Sequence, residues 1–428
     1  MRRLTLALGL LGLLAPAGAS AAARYVPGEV VLQPAHGAAR IVAPQPAESV
    51  PAAAARLGRT PGVRTARPNY LAHIAGFSPR DPGRGSGWAA LQWNFLPRAG
   101  VNVQPAWRNL IRARRPGGRG VTVAVLDTGV AYLDRGPYRR SPDFAHTRFV
   151  APRDIADDDP YPVDDSGHGT HVAGTIAENT GNRVGVTGLA YGVDIMPVRV
   201  LHADGSGDAF TVTRGIDYAV RHGADIINLS LEFPANYGPS DLPDVIAAVR
   251  RARRRGVLVV GAAGNIEPRA PRAIAVSEPA RDGSVLSVGA TTDHRCIAYY
   301  SQHGAGLDLV APGGGRDARR RGDRNCHPGR HQRPIYQLTF RSCAENQRPC
   351  GPASFFLPSY FIGTSMATPH VSGVAALVIA SGVLGRHPSP AAIIRRLQRT
   401  ADPLGPRGYD RTYGAGLVDA GRATSSGR

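Results

Sequence analysis

The fold is decided by the stretch Val121-Thr-Val-Ala-Val-Leu-Asp127, which is followed by Thr128 and Gly129. Its apolar residues run together without strict alternation, as is typical of a strand that is covered on both faces of a sheet. Helical segments are predicted at 211–222 and 244–255. The apolar strand pattern recurs in three later runs, at 194–201, 224–230 and 257–262. Repeated strand–helix–strand units predict an α/β fold with a parallel sheet between two layers of helices.

Polar residues that suit catalysis lie in or beside these elements. Asp127 ends the first strand, and Asn265 follows the fourth in Gly261-Ala-Ala-Gly-Asn265. Active sites of parallel sheets form at the carboxyl ends of the strands, so we expect a site at that edge. Two further motifs are Gly167-His168-Gly-Thr-His-Val-Ala-Gly and Gly363-Thr-Ser365-Met-Ala-Thr-Pro-His.

These residue types fit one reaction. A serine hydroxyl attacks well when a base takes its proton, and the base must be held in the right tautomer by an acid. The sequence therefore predicts a serine hydrolase with Ser365 as nucleophile, His168 as base and Asp127 as the orienting acid. Asn265 has an amide suited to stabilising the oxyanion. Taken singly, each residue is more often a helix cap or a structural side chain, but together they favour catalysis.

The four motifs resemble those of the subtilisin family of serine endopeptidases, whose triad runs Asp, His, Ser. The resemblance covers roughly residues 90 to 425, with further matches at 205–207, 228–231, 309–313 and 413–419. It implies a three-layer α/β/α fold with a mainly parallel sheet, and hydrolysis of peptide bonds in proteins through an acyl-enzyme. Since the base of the family matches His168, we assign His171 and His370 to the structure.

The resemblance also implies that an extended peptide substrate pairs with two strand segments. Glu232 stands where the family usually has glycine. A partly buried carboxylate seeks a cation, so Glu232 either favours a basic side chain before the cleaved bond or turns to solvent. The expected substrate-binding residues are Gly205, Ser206, Gly207, Ser230, Leu231, Glu232, Ala262, Ala263 and Gly264.

Structural Ca²⁺ is likewise implied by the resemblance, and oxygen ligands are what this cation requires. An acidic run at 157–159, continued by Asp164 and Asp165, forms either a second calcium site or a solvated loop. The ligand positions of the first site would be Gln92, Asp143, Thr180, Asn182, Val184 and Val186, with Thr180 and the two valines acting through backbone carbonyls.

The net charge of +19 comes from arginine, because the chain contains no lysine. A basic surface can bind nucleic acid, acidic lipid or an anionic cell-wall polymer. The arginines are dispersed and no aromatic-interleaved basic motif occurs, so we expect no nucleic-acid recognition. A catalytically silent protein that binds cell-wall polymer is the alternative from another functional class.

The first 23 residues have the pattern of a secretory signal peptide: a charged start, a short apolar run and small residues for cleavage. A buried or membrane-anchoring helix is the alternative. Residues 24–85 contain a predicted strand at 28–33, a helix at 47–57 and a strand at 62–70, and they resemble an inhibitory propeptide followed by an exposed linker. We therefore expect a secreted, extracellular or periplasmic, monomeric enzyme without a membrane anchor, with a catalytic domain at 86–428 and its own propeptide as transient inhibitor.

All four cysteines lie in the last third of the chain, three of them in a predicted loop insertion at about 314–360. An even number of cysteines in an exported protein favours disulfides. We expect Cys343 to pair with Cys350, and therefore Cys296 with Cys326. A zinc site is the alternative, which the absence of a Cys-x-x-Cys pair disfavours.

Overall fold

The computed structural model describes residues 25–70, 77–266, 275–329, 332–341 and 355–426. The chain forms two compact units, Met1–Gly76 and Phe77–Arg428. The predicted signal peptide lies outside the described residues. Within the described ranges, each helix is too short or too polar to cross a lipid bilayer.

The smaller unit is a three-stranded antiparallel sheet with one helix. Its elements are β1 (Tyr25–Pro34), β2 (Arg40–Val42), α1 (Val50–Leu57) and β3 (Val63–Tyr70), with the strand order β2-β1-β3. Helix α1 begins after Ser49, whose hydroxyl accepts a hydrogen bond from the amide of Ala52. The two strands and the helix predicted here are confirmed, and β2 was not predicted.

The larger unit is built on one eight-stranded sheet in which every strand pairing is parallel. The sheet order is β11-β10-β9-β8-β4-β7-β5, and β6 also pairs with β7. The strands are β4 (Thr122–Asp127), β5 (Arg148–Phe149), β6 (Arg153–Asp154), β7 (Asp194–Arg199), β8 (Ile226–Leu229), β9 (Leu258–Ala262), β10 (Val285–Thr291) and β11 (Leu309–Pro312).

Helices cover both faces of this sheet. Along β4, Val123 and Val125 belong to one hydrophobic core, whereas Ala124 and Leu126 belong to the other. Successive side chains of a strand point to opposite faces, so the unbroken apolar run of β4 serves both cores. The three-layer α/β/α prediction is confirmed. The helices are α2 (Trp88–Leu91), α3 (Val103–Arg112), α4 (His168–Ala177), α5 (Ala209–Arg221), α6 (Pro243–Arg254), α7 (Thr364–Ser381), α8 (Pro390–Thr400) and α9 (Ala420–Ala423).

Two segments outside the regular elements pack against the larger unit. The sequence predicts an exposed linker around Asp81, but this stretch is packed against the loop at Gly185. Asp81 is 1% exposed, and Gly83 N donates a hydrogen bond to Gly185 O. The described part of the insertion at 314–360 contributes Ile335 and Phe340 to the buried interior. Cys296 and Cys326 form the predicted disulfide, while Cys343 and Cys350 lie outside the described residues.

Candidate active site

The carboxyl end of β4 and the start of α4 bring Asp127 and His168 together. Asp127 is fully buried, and its Oδ1 lies 2.7 Å from Nδ1 of His168 and accepts a 2.8 Å hydrogen bond from the amide of Thr128. A Cβ at Gly169 would collide with the carbonyl oxygen of Gly129, so only glycine permits this approach of helix to strand. Gly169 therefore allows α4 to bring His168 close to Asp127.

The protonation of His168 is set by opposing effects. Burial by itself would lower the pKa of His168, but the charge of Asp127, its hydrogen bond and the charge of Asp164 outweigh burial and raise that pKa above 6.5. The side chain is still 27% exposed, so a substrate can reach it. Because Nδ1 bonds to Asp127, Nε2 is the nitrogen left to exchange a proton with a nucleophile.

Asp164 holds the turn that carries His168. Its carboxylate accepts five hydrogen bonds, from the hydroxyls of Thr128 and Thr170 and from the amides of Ser166, Gly167 and Thr170. Burial raises the pKa of Asp164 to about 6, although these hydrogen bonds favour the charged form. The sequence offered Asp164 only as part of an acidic run, and its positioning role depends on contacts that the spacing does not reveal.

Ser365 is the second residue of α7 and is half-buried. In a regular helix its carbonyl would accept a hydrogen bond from the residue four positions later, but that residue is Pro369, which has no N–H. Ser230 Oγ donates to the Ser365 carbonyl instead, at 2.9 Å. Asn228 Nδ2 in turn donates to Ser230 Oγ, and Ser372 Oγ donates to Asn228 Oδ1. Asn228 and Ser372, which were not predicted, therefore support the turn that bears Ser365.

Asn265 lies beyond the carboxyl end of β9 and is fixed at both ends of its amide. Its Oδ1 accepts hydrogen bonds from the amide of Thr364 at 3.0 Å and from the Thr364 hydroxyl at 3.2 Å. Its Nδ2 donates to Glu232 Oε1 at 3.1 Å. The carboxylate of Glu232 is thus turned onto Asn265 and not away into solvent.

One cleft of about 550 Å³ contains these groups together. His168, Asn265 and Ser365 all line it. Most of the predicted substrate-binding residues line it too, whereas Ala263 is buried in the core and Gly264 lies beneath Glu232. The lining residues from the prediction are Gly205, Ser206, Gly207, Ser230, Leu231, Glu232 and Ala262.

Two aromatic residues of the cleft, Phe233 and Phe361, were not predicted. Phe233 directly follows Glu232 and Phe361 lies two residues before the motif that begins at Gly363, and this closeness is the signal that could have identified them. The ring of Phe361 stacks on His171, with 4.2 Å between centroids. His171 and His370 are both fully buried, and burial lowers their pKa values to about 3 and about 4, so both are neutral members of the core.

Residues 118–416 match the model of a protein family described as the subtilase family, which is more than half of the chain. The chain belongs to the subtilase family. By family it is a subtilisin-like serine peptidase. Over 309 residues, or 72% of its length, this subtilase is 37% identical to M-protease of Shouchella clausii (strain KSM-K16) and to subtilisin BL and subtilisin Savinase of Lederbergia lenta. The match spans 65% of M-protease, slightly less than two thirds, and 91% of the other two.

Solved structures agree with this assignment. The fold is similar to that of a protease from Pseudoalteromonas arctica PAMC 21717, with a TM-score of 0.61 and 28% identity over 81% of this chain and 99% of the other. A second neighbour is a cold adapted subtilisin-like serine proteinase, with a TM-score of 0.51 and 29% identity over 71% of this chain and 88% of the other. The residues that match the subtilase family model, 118–416, lie within the larger unit.

The predicted calcium ligands of this subtilase lie at the loop that follows α4. Asp143 is fully buried and accepts hydrogen bonds from Asn182 Nδ2 at 2.7 Å and Val186 N at 3.2 Å. Gln92 instead exchanges two hydrogen bonds with the backbone of Thr187. Of the remaining predicted ligands, Val184 N donates to Asn182 Oδ1, and the hydroxyl of Thr180 is buried without a partner among the described residues.

Two further carboxylates, which the sequence did not indicate, accompany Asp143. Asp81 accepts hydrogen bonds from the amides of Gly181 and Asn182, and Glu178 is fully buried. Burial and then the charge of Asp81 raise the pKa of Asp143 to about 8, although the hydrogen bond from Asn182 opposes them. We call Asp81, Asp143 and Glu178 the acidic cluster. Across the described ranges, no ion pair neutralises any of these three carboxylates.

The oxygens of the acidic cluster are of the kind that a hard cation binds, but its side chains alone do not form a complete ligand set. No three acidic, histidine or cysteine side chains in the described part of the chain are close enough together to hold one metal ion. A calcium ion would therefore depend on backbone and amide oxygens beside Asp143, which are ligands that Ca²⁺ accepts readily. Buried carboxyl groups and an oxygen-rich loop fit calcium better than zinc, which prefers nitrogen and sulfur.

The acidic run that follows β6 has an arginine as its counter-ion. Arg199 at the end of β7 bonds to Asp154 at 2.9 Å and Asp157 at 2.6 Å, and lies 3.5 Å from Asp165. The oxygens of Asp164 are occupied as described above. A guanidinium thus occupies the centre of the predicted second calcium site, so we propose no cation there.

Proposed function

We propose that this subtilase is a secreted serine endopeptidase that cleaves peptide bonds of proteins. The observation that carries the proposal is the 2.7 Å pairing of Asp127 with His168 in the cleft that Ser365 and Asn265 also line. A buried acid, a partly exposed imidazole and a serine at a helix start are the parts that acyl transfer requires.

The reaction follows from these positions. Ser365 Oγ attacks the peptide carbonyl while His168 Nε2 takes the hydroxyl proton. The negative charge on the tetrahedral oxygen is stabilised by the amide of Asn265. His168 then gives its proton to the leaving amine, and the acyl-enzyme remains. Water, deprotonated by His168, hydrolyses the acyl-enzyme and restores Ser365.

The supporting contacts keep this arrangement in place before a substrate binds. Asp127 holds His168 in the tautomer that leaves Nε2 free, and it stabilises the imidazolium that forms during attack. The start of α7 favours negative charge beside Ser365. A preorganised site does not have to reorder its dipoles during reaction, which is where most of the rate enhancement arises.

Peptide recognition is proposed at the two rims of the cleft. Residues 205–207 and 230–232 both line it, and an extended backbone can pair with such segments. The smaller unit, with its antiparallel sheet, is proposed to act as a transient inhibitor and folding aid that is removed during maturation. Export through the segment 1–23 completes this proposal.

The test is hydrolysis of an unfolded protein by the purified chain. We expect processed wild-type protein to release peptides, and Ser365→Ala to release none above background. Ser381→Ala is the matched control, because Ser381 lies on the same helix with its hydroxyl bonded to the Val378 carbonyl. Loss of activity in both variants, or in neither, would contradict the proposal. A wild type that binds cell-wall polymer without any hydrolysis would favour the alternative of a silent binding protein.

We also propose a structural calcium ion beside Asp143, with Asp81 as a further acidic contributor and the loop at 180–186 as the source of carbonyl oxygens. The support is the meeting of three buried carboxyl groups that have no ion pair among the described residues and that would take up protons unless a cation were bound. Calcium would supply the missing counter-charge and stiffen the loop that follows α4. It takes no part in the proposed peptide hydrolysis.

A further inference from the structure

Glu232 is placed against the proposed oxyanion donor by several contacts. Its carboxylate accepts hydrogen bonds from the backbone amide of Asn265, at 2.8 and 3.0 Å to its two oxygens, and from Asn265 Nδ2 at 3.1 Å. Gly264 has a φ of 109°, and a Cβ at this position would collide with Glu232 Oε2. The chain therefore provides space for this carboxylate directly beneath Asn265.

We propose that Glu232 is a positioning residue that fixes the amide of Asn265 for oxyanion stabilisation. This inference rests on the proposed function. Oδ1 of Asn265 faces the amide and hydroxyl of Thr364, which are donors, and Nδ2 faces Oε1 of Glu232, which also accepts from the backbone amide of Asn265. Both ends of the amide are thus specified, and a flipped amide would lose its bonds at each end.

The geometry leaves one donor for catalysis. An amide NH2 group carries two N–H bonds, and Glu232 uses one of them. The second N–H is then held in a fixed direction, since rotation would break the bond to Glu232. Preorganisation of this kind raises kcat because it removes reorientation from the transition state.

A negative charge on Glu232 would oppose the benefit of its hydrogen bonds to Asn265. A carboxylate beside the developing oxyanion repels it, so the benefit of Glu232 must come from its hydrogen bonds and not from its charge. Glu232→Gln keeps an oxygen that can accept from Asn265 and removes the charge. Glu232→Ala removes both. The two variants therefore separate positioning from electrostatics.

A role in substrate recognition predicts a different pattern. If the Glu232 carboxylate binds a basic side chain before the cleaved bond, Glu232→Ala and Glu232→Gln should lower activity equally. The loss should then be confined to substrates with arginine or lysine at that position. Cleavage after leucine would be unaffected. Positioning of Asn265 acts on each substrate alike.

The experiment measures kcat and KM on peptides with leucine, phenylalanine or arginine before the cleaved bond, with enzyme concentrations set by active-site titration. The enzymes are wild type, Glu232→Ala, Glu232→Gln, Asn265→Ala and the double variant Glu232→Ala/Asn265→Ala. We expect Glu232→Ala to lower kcat about tenfold on all three peptides, the equivalent of one lost hydrogen bond, with KM nearly unchanged. Glu232→Gln should recover most of that loss.

The double variant tests the route of the effect. Asn265→Ala should lower kcat by about a hundredfold or more, a magnitude measured for the corresponding donor of a subtilisin. If Glu232 acts through Asn265, adding Glu232→Ala should cause no further loss. Melting temperatures are compared throughout, and Glu232→Gly replaces Glu232→Ala if the latter does not fold.

Three results would overturn the inference: an unchanged kcat for Glu232→Ala on leucine peptides, equal losses in Glu232→Ala and Glu232→Gln confined to arginine peptides, or additive losses in the double variant. An inactive wild type would overturn the proposed function and this inference with it. An active wild type with any of the three results overturns the inference alone.

Discussion

The buried carboxylates beside the cleft and those of the acidic cluster have different partners. Asp127 bonds to His168, and Asp164 accepts five hydrogen bonds from the turn around it. In the acidic cluster, no ion pair reaches any of the three carboxylates among the described residues, and the charge of Asp81 raises the pKa of Asp143 further. Hydrogen-bond donors can compensate a buried carboxylate without an ion, whereas buried carboxylates that repel each other either take up protons or bind a cation. The comparison supports the proposals of chemistry at the cleft and of an ion at the cluster.

The largest effect should come from the carboxylate that serves the chemistry. We expect Asp127→Asn to lower kcat about 10⁴-fold, the loss measured for the equivalent change in a trypsin-like triad, because His168 would be held in the wrong tautomer. Steady-state kinetics of the processed enzyme measure this. Asp217→Asn, which affects a partly exposed ion pair with Arg251, is the control and should be nearly neutral. A loss below tenfold in Asp127→Asn would remove the distinction between catalytic and structural carboxylates.

The acidic run around Arg199 should behave as a built-in ion pair. Arg199→Met leaves Asp154 buried without its cation, and we expect a loss of about 3–5 kcal/mol in the free energy of unfolding. Urea titration of the whole protein measures it. Arg251→Met, at a pair that is far more exposed, should cost less than about 1 kcal/mol. Equal losses in the two variants would show that Arg199 is not an essential counter-ion.

The acidic cluster should respond to calcium. We expect a chelator to lower the free energy of unfolding by about 3–4 kcal/mol, the value for an ion present at several hundred times its dissociation constant. The melting temperature should fall by about 5–10 °C. Calcium, but not magnesium, should restore it, because the loop offers carbonyl oxygens without the strict octahedral geometry of magnesium.

Asp143→Asn supplies the control for that measurement. The variant should be insensitive to both chelator and calcium, whereas Asp127→Asn should keep the full response. An unchanged melting temperature of the wild type after chelation would show that the cluster, like the cleft, needs no ion.

The smallest effect concerns the pH profile. Neutral His168 is the active base, and its raised pKa means that kcat/KM should rise with pH through a midpoint above 6.5. Because the charge of Asp164 helps to raise that pKa, Asp164→Asn should move the midpoint to lower pH. Asp158→Asn, at an exposed position, should leave it in place. A wild-type midpoint at or below 6.5 would contradict the electrostatics of the cleft.

The sequence was sufficient where a function depends on a local motif. Strands β4, β7, β8 and β9 follow from apolar runs, and the cleft contains His168, Ser365 and Asn265 as their motifs indicate. Strand β10 was missed because serine, glycine and threonine interrupt its apolar pattern. Contacts between residues that are distant in the sequence could not be predicted.

Asp81 and Arg199 show why the rest could not be predicted. Asp81 lies in a proline- and glycine-rich stretch that resembles a linker, yet it is buried against the amides of residues 181 and 182. The aspartates around Arg199 are 34 to 45 positions away from it in the chain, and only the sheet brings them together. Glu232 was recognised as unusual, but its contact with Asn265 required the structure.

The central claim is that Ser365 is a nucleophile activated by His168. The most direct measurement is labelling of the processed protein with a fluorophosphonate, followed by mass spectrometry of its peptides. We predict a single adduct on Ser365, abolished by Ser365→Ala and strongly slowed by His168→Ala, with Ser381→Ala labelled at the wild-type rate. A wild-type protein that acquires no adduct, or acquires it at another serine, would contradict the account.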